Sequence, residues 1–437
     1  MTPRELAFKI LKNALSGSTY SNIAVDNALK KNELSKADAG LLTAIVMGVT
    51  ERRLTLDHII DKLSSRPDEV ESDTRILLQM GIYQVTYLDR IPEYAAVNET
   101  VSLAPRRSRG FVNAVMREYL RRKQKGTLKG LFPDENDDPI GFLSVYYSFP
   151  RDACERFLEV YGIERTKRIF EIFNRPPKLT LRINTLKISR EDYARLLDEK
   201  EIGYSLSERL ENAIILENVS FGSLPGFDEG YFFIQDEASQ ICVEAVDAKS
   251  GMLMIDACSC PGSKSFGSAI KMENAGRILS YDLHESKLKL VDKSAERLGI
   301  NIITASKRDG RDLDESLLES ADRVLCDVPC SGLGVIAKKP EIRYKDISDF
   351  ARLPEIQYAI LENCAKYVKK GGILVYSTCT VLPEENEINA KKFLDSHSEF
   401  SPLDFAVGDA QSEKGMLSLS PDIHGTDGFF VAKFIKN

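Results

Sequence analysis

The sequence predicts a multidomain protein with an all-α N-terminal domain, a small α+β unit and a C-terminal α/β domain built on a doubly wound parallel sheet. Three observations predict it. Residues 1–135 carry apolar side chains at helical spacing with almost no β-rich run. Residues 145–235 mix such helices with short alternating segments, and an acidic linker, Asp134-Glu135-Asn136-Asp137-Asp138, separates them from the first part. In the remainder, 236–437, strands and helices alternate from Ser250 onward, as a parallel sheet with helical crossovers requires.

Composition bounds the function. A chain of 437 residues suggests two or three domains, and its 43% hydrophobic content is enough for ordinary cores. No apolar run approaches the length of a membrane span, and Met1-Thr2-Pro3-Arg4-Glu5 has no leader character. Eight cysteines without regular spacing read as reduced thiols, which places the protein in the cytoplasm. Four scattered histidines offer no metal-ligand pairing, so no metal is expected. No obligate protein partner is implied, and a monomer is expected. The net charge of −7 argues against nucleic acid in general, but charge acts locally.

The N-terminal domain opens on a capping box, with Thr2 as cap, Pro3 at the first helical position and Glu5 reaching back. Helical patterning continues over 35–63, 72–88, 94–103 and 111–122. Between 106 and 129 nine basic residues (Arg106, Arg107, Arg109, Arg117, Arg121, Arg122, Lys123, Lys125, Lys129) face one acid, Glu118. Such a stripe can bind a polyanion even on an acidic protein, because screening removes distant charges beyond roughly 8–10 Å. A solvated helix face is the other reading.

In the α+β unit, helical spacing over 161–174 stops at Pro176-Pro177, and 178–184 alternates as a strand. Ser189 with Asp192 opens a helix, and strands fit 213–217 and 231–234. Arg175, Lys178, Arg182 and Lys187 face either a ligand phosphate or solvent.

The C-terminal domain carries the chemistry. Its strands read as 252–255, 278–281, one starting at Ile302, 323–326 and 373–376. Ligands of open α/β sheets gather outside the carboxyl ends of the strands. At those ends stand Asp282, Asp309, Asp327-Val328-Pro329-Cys330 and Ser377-Thr378-Cys379. Asp282 suits both hydroxyls of a ribose, and Asp309 an adenine amino group. The first loop reads Cys258-Ser259-Cys260-Pro261-Gly262-Ser263-Lys264, which is neither GxGxxG nor a P-loop. With no pyrophosphate cradle, an adenosine ligand without phosphates fits best, and S-adenosyl-L-methionine is one.

A methyl donor beside two cysteines suggests methylation of a pyrimidine at C5. That carbon is a poor nucleophile until a thiolate adds to C6 and turns the ring into an enamine. A carboxylate at Asp327 suits the N3/N4 edge of cytosine. Cys258 and Cys326 read as small core residues. Zinc ligation by Cys258, Cys260, Cys326 and Cys330 is the alternative, although their spacings match no common site.

The stretches DACSCPGSK (256–264), YDLHESKLKLV (281–291), DGRD (309–312), DVPCSGLGVIAKKPEIRY (327–344) and YSTCTVLPEENE (376–387) resemble, in order, the motifs of the NOL1/NOP2/Sun family of RNA cytosine-C5 methyltransferases. QDEASQ (235–240) and DGFFVAKF (427–434) belong to the same pattern, and GFVNAVMREYLR (110–121) is similar to a NusB-type RNA-binding domain. The resemblance implies a NusB-like helical domain, an RRM- or ferredoxin-like linker domain and a Rossmann-like methyltransferase domain. It implies S-adenosyl-L-methionine as cofactor and small-subunit ribosomal RNA as partner. Cys379 would then be the nucleophile and Cys330 would help expel it. Residues 258–264, Asp282, Asp309 and Asp327 would line the methyl-donor pocket, with Asp327 also at the base and Lys264 near the reacting ring. The chain departs from the family at Ser263, where a second glycine is usual. If that position needs a positive φ, serine costs about 1 kcal/mol there. A non-catalytic NusB-type RNA-binding factor and a transfer RNA methyltransferase of the same family are the alternatives, separated by S-adenosylmethionine uptake and by mapping the modified RNA.

Overall fold

The structure is a computed structural model that describes residues 1–14, 20–217 and 224–437. The chain packs as two units. One comprises Met1–Arg175 with Ile336–Ile347, and the other Pro176–Val335 with Ser348–Asn437.

The first unit is helical: α1 (Pro3–Ala14), α2 (Ser21–Lys31), α3 (Lys36–Glu51), α4 (Arg53–Leu63), α5 (Ser72–Tyr87), α6 (Glu93–Leu103), α7 (Arg109–Gln124), α8 (Pro139–Tyr147) and α9 (Arg151–Phe173). The capping box forms as its residue types dictate. Glu5 N–H donates to Thr2 Oγ1 at 3.2 Å, and Thr2 N–H donates to Glu5 Oε2 at 2.8 Å. Leu11, Leu42, Ile45, Leu56, Ile60 and Leu78 are among the fully buried residues of one core. Gly48 makes the α3–α5 approach possible, since a Cβ there would stand 1.9 Å from the Tyr83 ring. The helical pattern of 151–173 is broken at Gly162 (φ 70°), so α9 is two helices meeting at a kink.

The segment Ile336–Ile347 packs within this unit although the chain on both sides of it belongs to the other. Arg343 is 1% exposed, with its guanidinium 4.5 Å from the Phe149 ring centre. It donates to Asn174 Oδ1 at 2.6 Å and to the carbonyl oxygens of Glu51 and Phe173. The Tyr344 hydroxyl donates to Glu51 O at 2.8 Å. A buried guanidinium is tolerated only with such acceptors around it.

The basic stretch is neutralised only in part within the unit. Arg121 and Arg122 both pair with Glu118, Lys123 pairs with Glu93 at 2.9 Å, and Arg107 pairs with Glu71 at 2.7 Å. Arg109 donates to the carbonyls of Ser102 and Ala104. Among the described residues, Arg106, Arg117, Lys125 and Lys129 make no ion pair.

The second unit begins with β1 (Leu179–Ile183), α10 (Arg190–Glu199), β2 (Tyr204–Leu206), β3 (Ala213–Leu216) and β4 (Phe232–Ile234), an antiparallel sheet in the order β2-β3-β1-β4. Ser189 caps α10 through Asp192 N–H at 3.1 Å. Arg182 on β1 is 2% exposed and pairs with Glu244 at 3.0 Å, and Lys187 donates to the carbonyls of Glu229 and Arg297.

There follow α11 (Glu237–Val246), β5 (Leu253–Asp256), α12 (Ser263–Lys271), β6 (Arg277–Asp282), α13 (Glu285–Leu298), β7 (Ile303–Lys307), β8 (Ala321–Asp327), α14 (Leu353–Ala365), β9 (Val368–Thr378) and α15 (Glu387–Ser396). The chain ends with β10 (Phe400–Pro402), β11 (Ala406–Val407), β12 (Ala410–Gln411), β13 (Met416–Leu419), α16 (Pro421–His424) and β14 (Phe429–Lys436). The main sheet runs β10-β14-β9-β8-β5-β6-β7, with β13 on β14. Strands β7, β6, β5, β8 and β9 are mutually parallel, while β14 lies antiparallel on β9. The sheet is therefore mixed where a parallel one was expected. The reason is the C-terminal run FFVAKFIK, which covers the edge that β9 would otherwise expose. Residues 369–372 lie within β9 although the apolar run begins only at Ile373, and the pairing steps from Ala321↔Val368 to Arg323↔Ile373 around Gly371 (φ 72°).

The division into sequence modules at 1–135, 145–235 and 236–437 stands as a proposal. Packing joins the opening of the second module to the helical unit and its remainder to the main sheet.

Candidate active site

Five parallel strands end on one side of the sheet, and each end supplies part of the site. β5 runs into the loop 257–262, whose backbone is tied to its neighbours. Ala257 N–H donates to Leu325 O at 2.9 Å, Ser259 N–H to Tyr281 O at 2.7 Å, and Gly262 N–H to Ser259 O at 2.6 Å. The cysteines of this loop are thiols: burial raises Cys258 well above the ordinary thiol range, and burial followed by the Asp282 carboxylate pushes Cys260 up to about 12. Cys258 packs, with buried Cys326, against the core under β8 and α14, as expected for small core residues.

The strain expected at Ser263 is absent. The left-handed residue is Gly262 (φ 103°), while Ser263 is the first residue of α12 with an ordinary backbone. A serine needs no left-handed conformation there, so its predicted cost does not arise. Gly262 is the position that cannot change: a Cβ on it would meet the Phe266 ring at 2.5 Å.

At the second residue of α12, Lys264 is 8% exposed and its Nζ lies 2.6 Å from Asp327 Oδ2 at the end of β8. Ser377, at the end of β9, donates from Oγ to Asp327 Oδ1 at 2.8 Å. Both oxygens of Asp327 are thereby oriented. Burial alone would lower the Lys264 ammonium's pKa, but Asp327, Cys242 and Cys379 together hold it above the ordinary range. Lys264 also sits 5.1 Å from the centre of the Phe429 ring.

The two strand-end cysteines meet. Cys330 Sγ and Cys379 Sγ are 3.2 Å apart, and Cys379 N–H points to Cys330 Sγ at 3.3 Å. The contact with Cys379 and burial raise Cys330 well above the ordinary thiol range, with the Glu385 carboxylate adding to the shift. The loop carrying Cys379 is pinned by Gly334, whose N–H donates to Cys379 O at 3.0 Å, and Gly428 N–H donates to Gly334 O at 2.9 Å. These two backbones touch: a Cβ on Gly334 would lie 1.9 Å from Gly428 O. This crossing explains why the DGFF stretch belongs with the cysteine motifs.

Asp282 ends β6 with Oδ2 3.3 Å from Cys260 N and Oδ1 2.9 Å from His284 N. Asp309 lies beyond β7 and is engaged by its own neighbour, with Arg311 Nη2 2.6 Å from Oδ2 and Arg311 Nε 2.9 Å from Oδ1. Three groups escaped the sequence reading. Ser377 was visible only as a strand terminus. Asp256, 1% exposed, accepts from Ser265 Oγ at 2.6 Å, and burial pushes its carboxyl up to about 7. Glu385, 1% exposed, accepts from Ser331 N–H at 2.9 Å. Among the described residues no group of three or more His, Cys, Asp or Glu is arranged to hold a metal ion. Likewise, no described helix is long and apolar enough to cross a membrane.

A doubly wound domain with acids at successive strand ends, joined to a NusB-like helical domain and a ferredoxin-like linker domain, defines an RNA-type methyltransferase architecture. Family models agree: residues 243–435 match 16S rRNA methyltransferase RsmB/F, 1–121 match the NusB family, and 149–220 match the ferredoxin-like domain of RsmF/B-like methyltransferases. The chain is 36% identical to a probable ribosomal RNA small subunit methyltransferase B of Bacillus subtilis, over 99% of this chain and 98% of that one. It is 31% identical to ribosomal RNA small subunit methyltransferase B of an Escherichia coli strain, over 96% and 95%. The crystal structure of PH0851 superposes with a TM-score of 0.81 at 26% identity, covering 100% of this chain and 99% of that one. A methyltransferase homolog from Pyrococcus horikoshii superposes at 0.60 with 31% identity, covering 67% and 97%. The chain belongs to the RsmB family of 16S ribosomal RNA methyltransferases.

Proposed function

We propose that the protein catalyses S-adenosylmethionine-dependent methylation at C5 of a cytosine in 16S ribosomal RNA, through a covalent bond between Cys379 and C6 of the base. The observation that carries this reading is the approach of Cys330 and Cys379 to 3.2 Å beside the Lys264–Asp327 pair. The names of the relatives support the substrate.

The strand ends suit the methyl donor. Asp282 is fixed by two backbone N–H groups so that its carboxylate can accept from ribose hydroxyls, and the loop 258–264 offers no phosphate cradle. Asp309 can take the adenine amino group once Arg311 swings away. When bound, S-adenosylmethionine supplies an electrophilic methyl group.

The chain's own residues do the rest. Asp327, oriented by Lys264 and Ser377, holds the amino edge of the cytosine. Cys379, as its thiolate, adds to C6 and makes C5 nucleophilic. After C5 is methylated, solvent takes the C5 proton, the C5–H electrons re-form the C5–C6 double bond, and the C6–S bond breaks with Cys379 leaving as its thiolate. Cys330, adjacent to the departing sulfur, assists this expulsion. All eight cysteines are free thiols, consistent with action in the cytoplasm, and we take the working form to be a monomer.

Bisulfite sequencing of ribosomal and transfer RNA from cells with and without the gene tests the assignment. One 16S cytosine should resist conversion only when the gene is present. Loss of protection confined to a transfer RNA would move the substrate, and no loss anywhere would leave a non-catalytic RNA binder.

A further inference from the structure

Beneath the two cysteines lies a buried polar network. Glu385 Oε2 accepts from Ser331 N–H at 2.9 Å and from Gln357 Nε2 at 2.8 Å. Gln357 Nε2 also donates to Pro329 O at 3.0 Å. The backbone on both sides of Cys330 is therefore tied to one carboxylate, directly at Ser331 and through Gln357 at Pro329. Ser331 Oγ in turn lies 2.6 Å from Thr380 Oγ1, the residue after Cys379. The Tyr376 hydroxyl closes the network by donating to Glu385 O at 2.5 Å. Glu385, Gln357 and Tyr376 are at most 1% exposed.

A buried acid is costly unless its position is used, because hydrogen bonds alone could be supplied by a neutral side chain. The two thiols differ in what faces them. Cys379 is near the Lys264 ammonium, whereas Cys330 is near the Glu385 carboxylate. We propose that Glu385 is the positioning residue of the release step: its carboxylate clamps the Pro329–Ser331 turn, directly at Ser331 N–H and through Gln357 at Pro329, and so fixes Cys330 against Cys379 with a negative charge beside it. This rests on the assignment of attack to Cys379 and release to Cys330.

The test uses the full-length protein with S-adenosylmethionine and its RNA substrate. Glu385→Gln keeps the shape and removes the charge. It should bind S-adenosylmethionine with unchanged affinity and form the protein–RNA adduct, but resolve it about tenfold more slowly, the equivalent of about 1.4 kcal/mol on the barrier. The alkaline limb of its release rate should move to lower pH, a change that loosened packing would not produce. Gln357→Met, which unties Pro329 but leaves the charge, should slow release without moving the pH profile, and it decides the positioning half if Glu385→Gln does not fold. Release at the wild-type rate in both variants overturns the inference. Equal loss of adduct formation and release, with no pH shift, reduces Glu385 to a structural role and also overturns it. Wild-type and Cys330→Ala proteins run alongside keep the two failures apart: if neither forms an adduct, the parent reading has failed instead.

Discussion

The Lys264–Asp327 pair gives the most quantitative prediction. The two groups are 2.6 Å apart with side chains 10% and 27% exposed, so the lysine is desolvated and the aspartate retains some water. Breaking a buried pair by removing one partner costs about 3–5 kcal/mol, because the other charge is left uncompensated. Asp327 keeps its Ser377 hydrogen bond and partial solvation, so Lys264→Met should cost the lower amount, about 2 kcal/mol. Asp327→Asn strands the more deeply buried ammonium and should cost about 3 kcal/mol. The double variant leaves no orphan charge, so its cost should fall short of the sum by about 2 kcal/mol. Urea unfolding of the four proteins measures the cycle, and methyl transfer should be lost in all three variants. Single-variant costs that add to within about 0.5 kcal/mol would show that the pair is solvent-screened and refute the electrostatic account of the site.

Three further predictions follow from other parts of the chain. Ser263→Gly should change the S-adenosylmethionine dissociation constant by less than about tenfold, since no strain is relieved, and a larger tightening by calorimetry would restore the strain argument. Asp256 has a folded pKa raised to about 7 by burial, so its contribution to stability is fully present below its unfolded value near 4 and is lost as pH rises through about 7. Asp256→Asn should therefore flatten the fall of the melting temperature between about pH 4 and 7, and an unchanged slope would show that Asp256 ionises freely in the fold. For RNA binding, replacing Arg106, Arg117 and Lys125 with Ala should lower the slope of log affinity against log salt by about 0.7–0.9 per lost phosphate contact. The paired Arg121 and Arg122 should matter less, and the reverse order would mean that RNA competes for Glu118.

Much of the site was readable because short apolar runs ended in reactive residues. Asp282, Asp327 and Ser377 each close a strand whose length and β-rich content mark it without ambiguity. The capping box at Thr2 and the N-cap at Ser189 were readable for the same local reason. What escaped depends on contacts distant in sequence. Arg343 looks like a surface residue of a basic stretch, and only packing reveals its burial against Phe149 and Asn174. The antiparallel β14 is an ordinary apolar run, and nothing local to it says that it pairs with β9. Glu385 sits in a polar stretch whose charge would be solvated in most proteins, and its partners Ser331 and Gln357 are 54 and 28 residues away. At Ser263 the error was one of position, because the positive φ belongs to the preceding glycine.

The division of labour between the cysteines is the central claim, and adduct trapping tests it most directly. Each of Cys379→Ala and Cys330→Ala is incubated with S-adenosylmethionine and the RNA substrate, then run on a denaturing gel. The account predicts no adduct and no product from Cys379→Ala. Cys330→Ala should instead accumulate a protein–RNA adduct that survives denaturation, because attack and methyl transfer proceed while release stalls. An adduct in Cys379→Ala with none in Cys330→Ala would contradict the account and exchange the two roles.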